Sequence, residues 1–210
     1  MNKQIIKLIQ GTHHDPFQVL GVHFCSPDER IASIRTFQPH TTGVCLLIDG
    51  QSRAMQQTHQ EGMFEIELDS STLQDPYLDP YSYQFQITYA DGSTHSCNDP
   101  YRFLPVLAEQ DRYLFNFGTH YELYRHMGAH PAMFSAIAGI MFRVWAPAAA
   151  RVSILGDFNG WDGRTHPMRS LESSGIWELF LPGLGQDEPY KFEIRTQDGT
   201  LLKKIDPFQF

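Results

Sequence analysis

An internal repeat of domain length constrains what this chain can fold into. Tyr83 to Gly92 alternates aromatic or apolar residues with polar ones and closes on Asp-Gly; Tyr190 to Gly199 does the same at an offset of 107 (83 against 190). The same offset relates Asp99-Pro100 to Asp206-Pro207 and Gly21 to Gly128. Arg35 to Pro39 pairs with Arg143 to Pro147, and Gly62 to Glu65 with Gly175 to Glu178, with small gaps and unbroken order. A period this long signals a duplicated domain rather than a solenoid. Turns and prolines match as well as apolar positions, which chance likeness between strands does not explain.

Each unit opens on a short helical signal. Asp15 is a capping acid, Pro16 stands at the first helical position and Gly21 follows the end; His120 to Met127, closed by Gly128, is the second copy. Strands follow. Phe64, Ile66 and Leu68 alternate with polar residues, as do Tyr83, Phe85 and Ile87, and Tyr190, Phe192 and Ile194. Period-two runs joined by Asp-Gly turns predict antiparallel strands with one buried face. The expected fold is all-β: two tandem immunoglobulin-like β-sandwiches, with short helical segments at the N-terminus and in the linker. The expected boundaries are 1–104 for the first domain, 105–118 for a linker that is helical from Gln110 to Phe117, and 119–210 for the second domain.

Composition narrows the function classes. Of 210 residues, 41% are apolar and 19% charged, enough apolar surface for a real core. A net charge of −8, with Lys203-Lys204 the longest basic run, argues against nucleic acid. Cys25, Cys45 and Cys97 are sparse, unpatterned and without a Cys-x-x-Cys, so reduced thiols and a cytoplasmic location are expected. The first ten residues lack a signal peptide's apolar run, and no stretch approaches the roughly 20 apolar residues of a membrane span.

Gly156 to Gly163 is the densest concentration of potential chemistry. Three glycines and three Asx residues define a turn, and in its middle stands Trp161. An exposed indole can lie on the apolar face of a sugar ring while nearby polar groups bond the hydroxyls. Asp157, Asn159 and Lys191 are the candidate partners, so the predicted glycan-binding set is Trp161, Lys191, Asn159 and Asp157. The competing reading is that Trp161 plugs the end of a sandwich. The first repeat has only Asp49-Gly50 at this place, without tryptophan. Trp145 and Trp177, aligned with Phe37 and Phe64, are expected in the core. His13-His14 and the His120/His126 pair lack zinc spacing, so no metal is expected. No nucleophile elbow, P-loop or dinucleotide fingerprint occurs, so neither catalytic residues nor cofactors are expected.

These motifs resemble the bacterial glycogen (1,4-alpha-glucan) branching enzymes. The resemblance runs through His14 to Gly21, Leu123 to His130, Val144 to Pro147, Gly156 to Arg169, Gly175 to Gly183 and Tyr190 to Ile194. It covers essentially the whole chain, and Gly156 to Arg169 is its most specific part. It implies an N-terminal β-sandwich, a starch- and glycogen-binding sandwich, a (β/α)₈ barrel holding the catalytic acids and a C-terminal β domain; this chain corresponds to the first two. The family's double displacement needs a nucleophile and an acid/base, which have no positions here, so the chain alone is expected to be inactive. Related modules hold glucan through a turn tryptophan and a strand lysine, which match Trp161 and Lys191. A second stacking tryptophan of some relatives is replaced here by Thr200-Leu201-Leu202, and the asparagine after Trp-Ala-Pro by Ala148. The implied role is binding and positioning of α-1,4 glucan in glycogen biosynthesis, with a (β/α)₈ barrel as a further partner. The alternative is a structural or regulatory pair packing on a barrel of another polypeptide.

Overall fold

The computed structural model describes residues 3–25, 30–73, 83–108, 113, 115, 117, 122–134, 136–171 and 174–208. Among the described residues a helix, α1 (Lys3–Ile9), precedes eight strands of the first domain: β1 (Gly21–Phe24), β2 (Ile31–Phe37), β3 (Thr41–Ile48), β4 (Gln51–Ala54), β5 (Gln56–His59), β6 (Met63–Asp69), β7 (Tyr83–Tyr89) and β8 (Thr94–Cys97). The second domain holds β9 (Gly128–Phe134), β10 (Ile137–Trp145), β11 (Ala149–Gly156), β12 (Arg169–Ser170), β13 (Ile176–Pro182), β14 (Tyr190–Thr196) and β15 (Leu201–Lys204). The sheets are antiparallel: β1-β2-β6-β5 and β4-β3-β7-β8, then β12-β13-β10-β9 and β11-β14-β15.

The expected alternation places the core between facing sheets. In the first domain Ala32, Ile34 and Phe64 from one sheet meet Val44, Leu46, Tyr83 and Phe85 from the other. In the second, Phe142, Trp177 and Leu179 meet Val152, Ile154 and Phe192. Burying each of the larger aliphatic and phenylalanine side chains among these contributes about 1.5–3 kcal/mol. Both domains are therefore β-sandwiches.

The repeat extends to polar contacts. Arg35 Nε donates to Glu65 across β2 and β6 at 2.7 Å, and Arg143 Nε donates to Glu178 across β10 and β13 at 2.7 Å. Each unit also links a histidine Nε2 to a main-chain oxygen three residues back: His23 with Leu20 at 3.1 Å, and His130 with Met127 at 2.8 Å. Asp15 caps a 3-10 turn at Pro16–Gln18, and a second 3-10 turn at Leu123–Arg125 stands near the end of the second helical signal. His120 itself lies outside the described residues.

The domains diverge after β3 and β11. A two-residue turn at Asp49-Gly50, both with positive φ, joins β3 to β4, as a tight hairpin requires. After β11 the chain instead makes the Trp161 turn and returns along β11, where Ile154 N donates to His166 O and Met168 N to Val152 O. The next residue, Arg169, pairs with Glu178 in the other sheet. One short segment thus stitches the two sheets together.

That segment also docks on the first domain. The Tyr101 hydroxyl donates to Thr165 O at 3.2 Å, and Arg169 lies over the Phe17 ring while donating to Phe103 O. Leu8, Ile9, Phe37, Met63 and Tyr101 join Val152, Ile154 and Met168 in one apolar cluster.

Trp177 is buried as expected, at 4% exposure, but Trp145 is not: it is 56% exposed. Its counterpart Phe37 is covered because the second domain packs there, with Arg164 over its ring. No third unit covers Trp145 among the described residues; Phe115 meets it edge-to-face at 6.0 Å, and Gly175 lies close to its indole Nε1. Of the predicted linker helix, Tyr113, Phe115 and Phe117 are described; Phe117 N donates to Tyr113 O, the helical i to i−4 bond. The rest lies outside the described residues.

Candidate carbohydrate site at the Trp161 turn

The Trp161 turn is held from within. β11 ends at Gly156, a 3-10 turn covers Asp157–Asn159, and Gly160 and Trp161 both adopt positive φ. For tryptophan that conformation costs on the order of 1–3 kcal/mol, and it persists only where neighbours determine it. Trp161 N donates to Gly156 O at 3.0 Å, and its indole Nε1 donates to Asp157 Oδ1 at 2.7 Å. The ring is 36% exposed, so it is not a plug buried in the sandwich.

Asn159 builds the turn. Its Oδ1 accepts from Gly156 N, and its Nδ2 donates to Ile154 O and reaches His166 Nδ1 at 3.0 Å. Burial pushes the His166 pKa down to about 4, so the ring is neutral and Nδ1 can accept that bond. Asp157 pins the indole. Lys191 lies opposite Leu155 across β11 and β14, half-buried, and its ammonium makes no hydrogen bond or ion pair with any described residue. The turn thus contains Trp161, Asp157 and Asn159, while Lys191 comes from the neighbouring strand.

Sequence reading missed the outer brace. Asp162 accepts from Arg164 N, Nε and NH2, the last at 2.8 Å; Arg164 NH1 reaches Glu61 of the first domain at 3.3 Å. Burial opposes ionisation of Asp162, but the Arg164 bonds outweigh it and hold the carboxyl below its ordinary range. An acid two residues before an arginine carries no signature, so only the fold reveals this clamp.

Beside the indole lies an open groove of about 390 Å³, bordered by Gln10 and Gly11 of the first domain and by Arg151, Trp161, Arg195 and Leu201 of the second. Gly11, with φ +63, ends the α1 segment close against the Arg151 guanidinium, where a Cβ would lie 2.5 Å from NH1. Arg151 is buried and ion-paired to Glu193. A larger cavity, about 460 Å³, lies between Phe142, Leu184, Tyr190 and Phe208, but it contains none of the predicted sugar-binding residues.

Comparison with known proteins agrees with this architecture. Residues 1–101 match the family described as alpha-1,4-glucan branching enzyme GlgB, N-terminal domain, and residues 126–209 match carbohydrate-binding module 48 (isoamylase N-terminal domain). The chain is 42% identical over 202 residues to the 1,4-alpha-glucan branching enzyme GlgB of Paramagnetospirillum magneticum, covering 96% of this chain and 26% of that one. It is 41% identical over 208 residues to that of Mycolicibacterium paratuberculosis, covering 97% and 27%. It therefore spans about a quarter of the length of the curated relatives it matches. Among solved structures, a pullulanase from Anoxybacillus sp. LM18-11 is 13% identical, covering 85% of this chain and 24% of that one, at a TM-score of 0.33. Residues 1–101 are thus similar to the N-terminal domain of the GlgB branching enzymes, and residues 126–209 to carbohydrate-binding module 48.

Proposed function

We propose that the chain binds α-glucan through its second domain and positions it as the N-terminal part of a 1,4-alpha-glucan branching enzyme. The observation that carries this reading is the Trp161 indole, part-exposed at a groove and fixed in place by Asp157. A ring already ordered before binding loses little rotamer freedom when glucose stacks on it. Lys191 supplies an unpaired donor from β14, and Asn159 holds the turn in shape. The family's own description as a carbohydrate-binding module supports the same chemistry.

Native electrophoresis in gels containing glycogen tests this. The chain should be retarded and Trp161→Ala should migrate freely, since one stacking platform contributes about 1–3 kcal/mol by analogy with aromatic stacking on bases. Equal mobility of the wild-type chain with and without glycogen refutes it.

The exposed Trp145 favours an additional role. Phe37, its repeat counterpart, is covered by the following domain. The Trp145 face is the corresponding place for the second domain to meet a (β/α)₈ barrel, and co-purification with a barrel polypeptide, lost in Trp145→Asp, checks this.

A further inference from the structure

The groove beside Trp161 is composite, and this bears on where a longer ligand goes. Gln10 and Gly11 belong to the segment closing α1 in the first domain; Arg195 and Leu201 belong to β14 and β15 in the second. The two sides are held together by the Gly11–Arg151 approach, by the Arg164–Glu61 bond and by the shared apolar cluster. The groove's volume, about 390 Å³, falls among small-ligand sites, which run from roughly 300 to 1,000 Å³.

Its walls carry donors that the fold leaves unused. The Arg195 guanidinium is half-buried and makes no hydrogen bond or ion pair with any described residue. Arg151, by contrast, is 3% exposed and committed to Glu193 through NH2, with its Nε buried, so it shapes the groove floor rather than offering a donor. Gln10 is exposed on the opposite wall, and Leu201, 50% exposed, offers an apolar surface. A neutral polyol suits this combination: guanidinium and amide groups bond hydroxyls, and the leucine meets the carbon face of a ring.

We propose that an α-glucan stacked on Trp161 continues along this groove, with Arg195 and Gln10 bonding the next glucose units, so that long chains are recognised by both domains together. This rests on the α-glucan reading of Trp161. The Trp161 turn with Lys191 governs short oligomers; the two-domain groove governs length preference.

Calorimetric titration of the full chain with maltotriose and maltoheptaose tests it. Gln10→Ala and Arg195→Gln should each weaken maltoheptaose binding about 3- to 10-fold, the effect of one lost hydrogen bond, and change maltotriose less than about 2-fold. Because Gln10 is exposed, Gln10→Ala should keep the wild-type melting temperature and isolates binding from folding. If Trp161→Ala abolishes binding while both groove variants bind maltoheptaose like wild type, the groove inference falls and the Trp161 reading stands. If Trp161→Ala binds both oligomers like wild type, both fall.

Discussion

The phenol of Tyr190 donates to the carboxylate of Asp206 in the second domain, and 107 positions earlier the phenol of Tyr83 donates to Asp99. In each pair the acid's other oxygen caps a turn, accepting from Phe208 N and Tyr101 N at 2.9 Å. The strand that begins at the tyrosine is thereby tied to the segment closing its domain. Removing a hydroxyl leaves a buried carboxyl short of one donor, so Tyr83→Phe and Tyr190→Phe should each lose about 1–3 kcal/mol in urea unfolding. An unchanged midpoint in either variant would show that bond to be dispensable.

The two arginine–glutamate pairs should differ sharply. Arg143 and Glu178 are 8% and 2% exposed, and Glu178 also accepts from Val106 N and Leu107 N; Arg35 and Glu65 are 19% and 22% exposed. Breaking a buried pair strands a charge, so Glu178→Ala should cost about 3–5 kcal/mol. Glu65→Ala, in a better-solvated setting, should cost about 1 kcal/mol. Chemical denaturation of the two variants side by side gives the comparison.

Acid should loosen the Trp161 turn. Burial keeps His166 neutral down to about pH 4, whereas the unfolded chain protonates it near 6.5. Between those values the unfolded state binds more protons, so stability falls as pH drops through the window and levels off below it. Burial raises Asp99 to about 6, which acts in the opposite sense between 3.8 and 6. The His166 effect is therefore read as a difference. From pH 7 to pH 4 the wild type should lose up to about 3 kcal/mol more than His166→Gln in urea unfolding.

Asp157 should matter for binding more than for folding. Its carboxylate is exposed and accepts from the Trp161 indole. Asp157→Ala should weaken glucan binding about 3- to 10-fold with little change in melting temperature. Asp157→Asn keeps an acceptor and should bind nearly as wild type; titration with maltoheptaose distinguishes them.

Much of this was legible from residues alone because the repeat is physical. A tyrosine, an Asp-Gly turn and an Asp-Pro recurring at one spacing foretold the same strand, hairpin and cap twice. The sequence leaves Trp161 either exposed or plugging the sandwich end, because a turn's composition does not report what packs on it; the fold decides, with the residue 36% exposed. Trp145 was misread because alignment with Phe37 reports strand position but not what lies beyond the strand: Phe37 is covered by another domain. Asn159, a candidate ligand contact from its sequence setting, has both ends of its amide engaged by the main chain of Gly156 and Ile154. A polar residue in a glycine-rich loop looks the same in sequence whether it faces a ligand or its own backbone.

The stretch from His166 to Ser170, which runs along β11 and then along β13, has a mechanical consequence. A pull on the indole by the proposed glucan ligand would not fall on a single hairpin. It loads both sheets at once, and through Arg164 and Tyr101 it reaches the preceding domain as well. The load is thereby shared among β11, β13 and the first domain rather than carried by the turn alone.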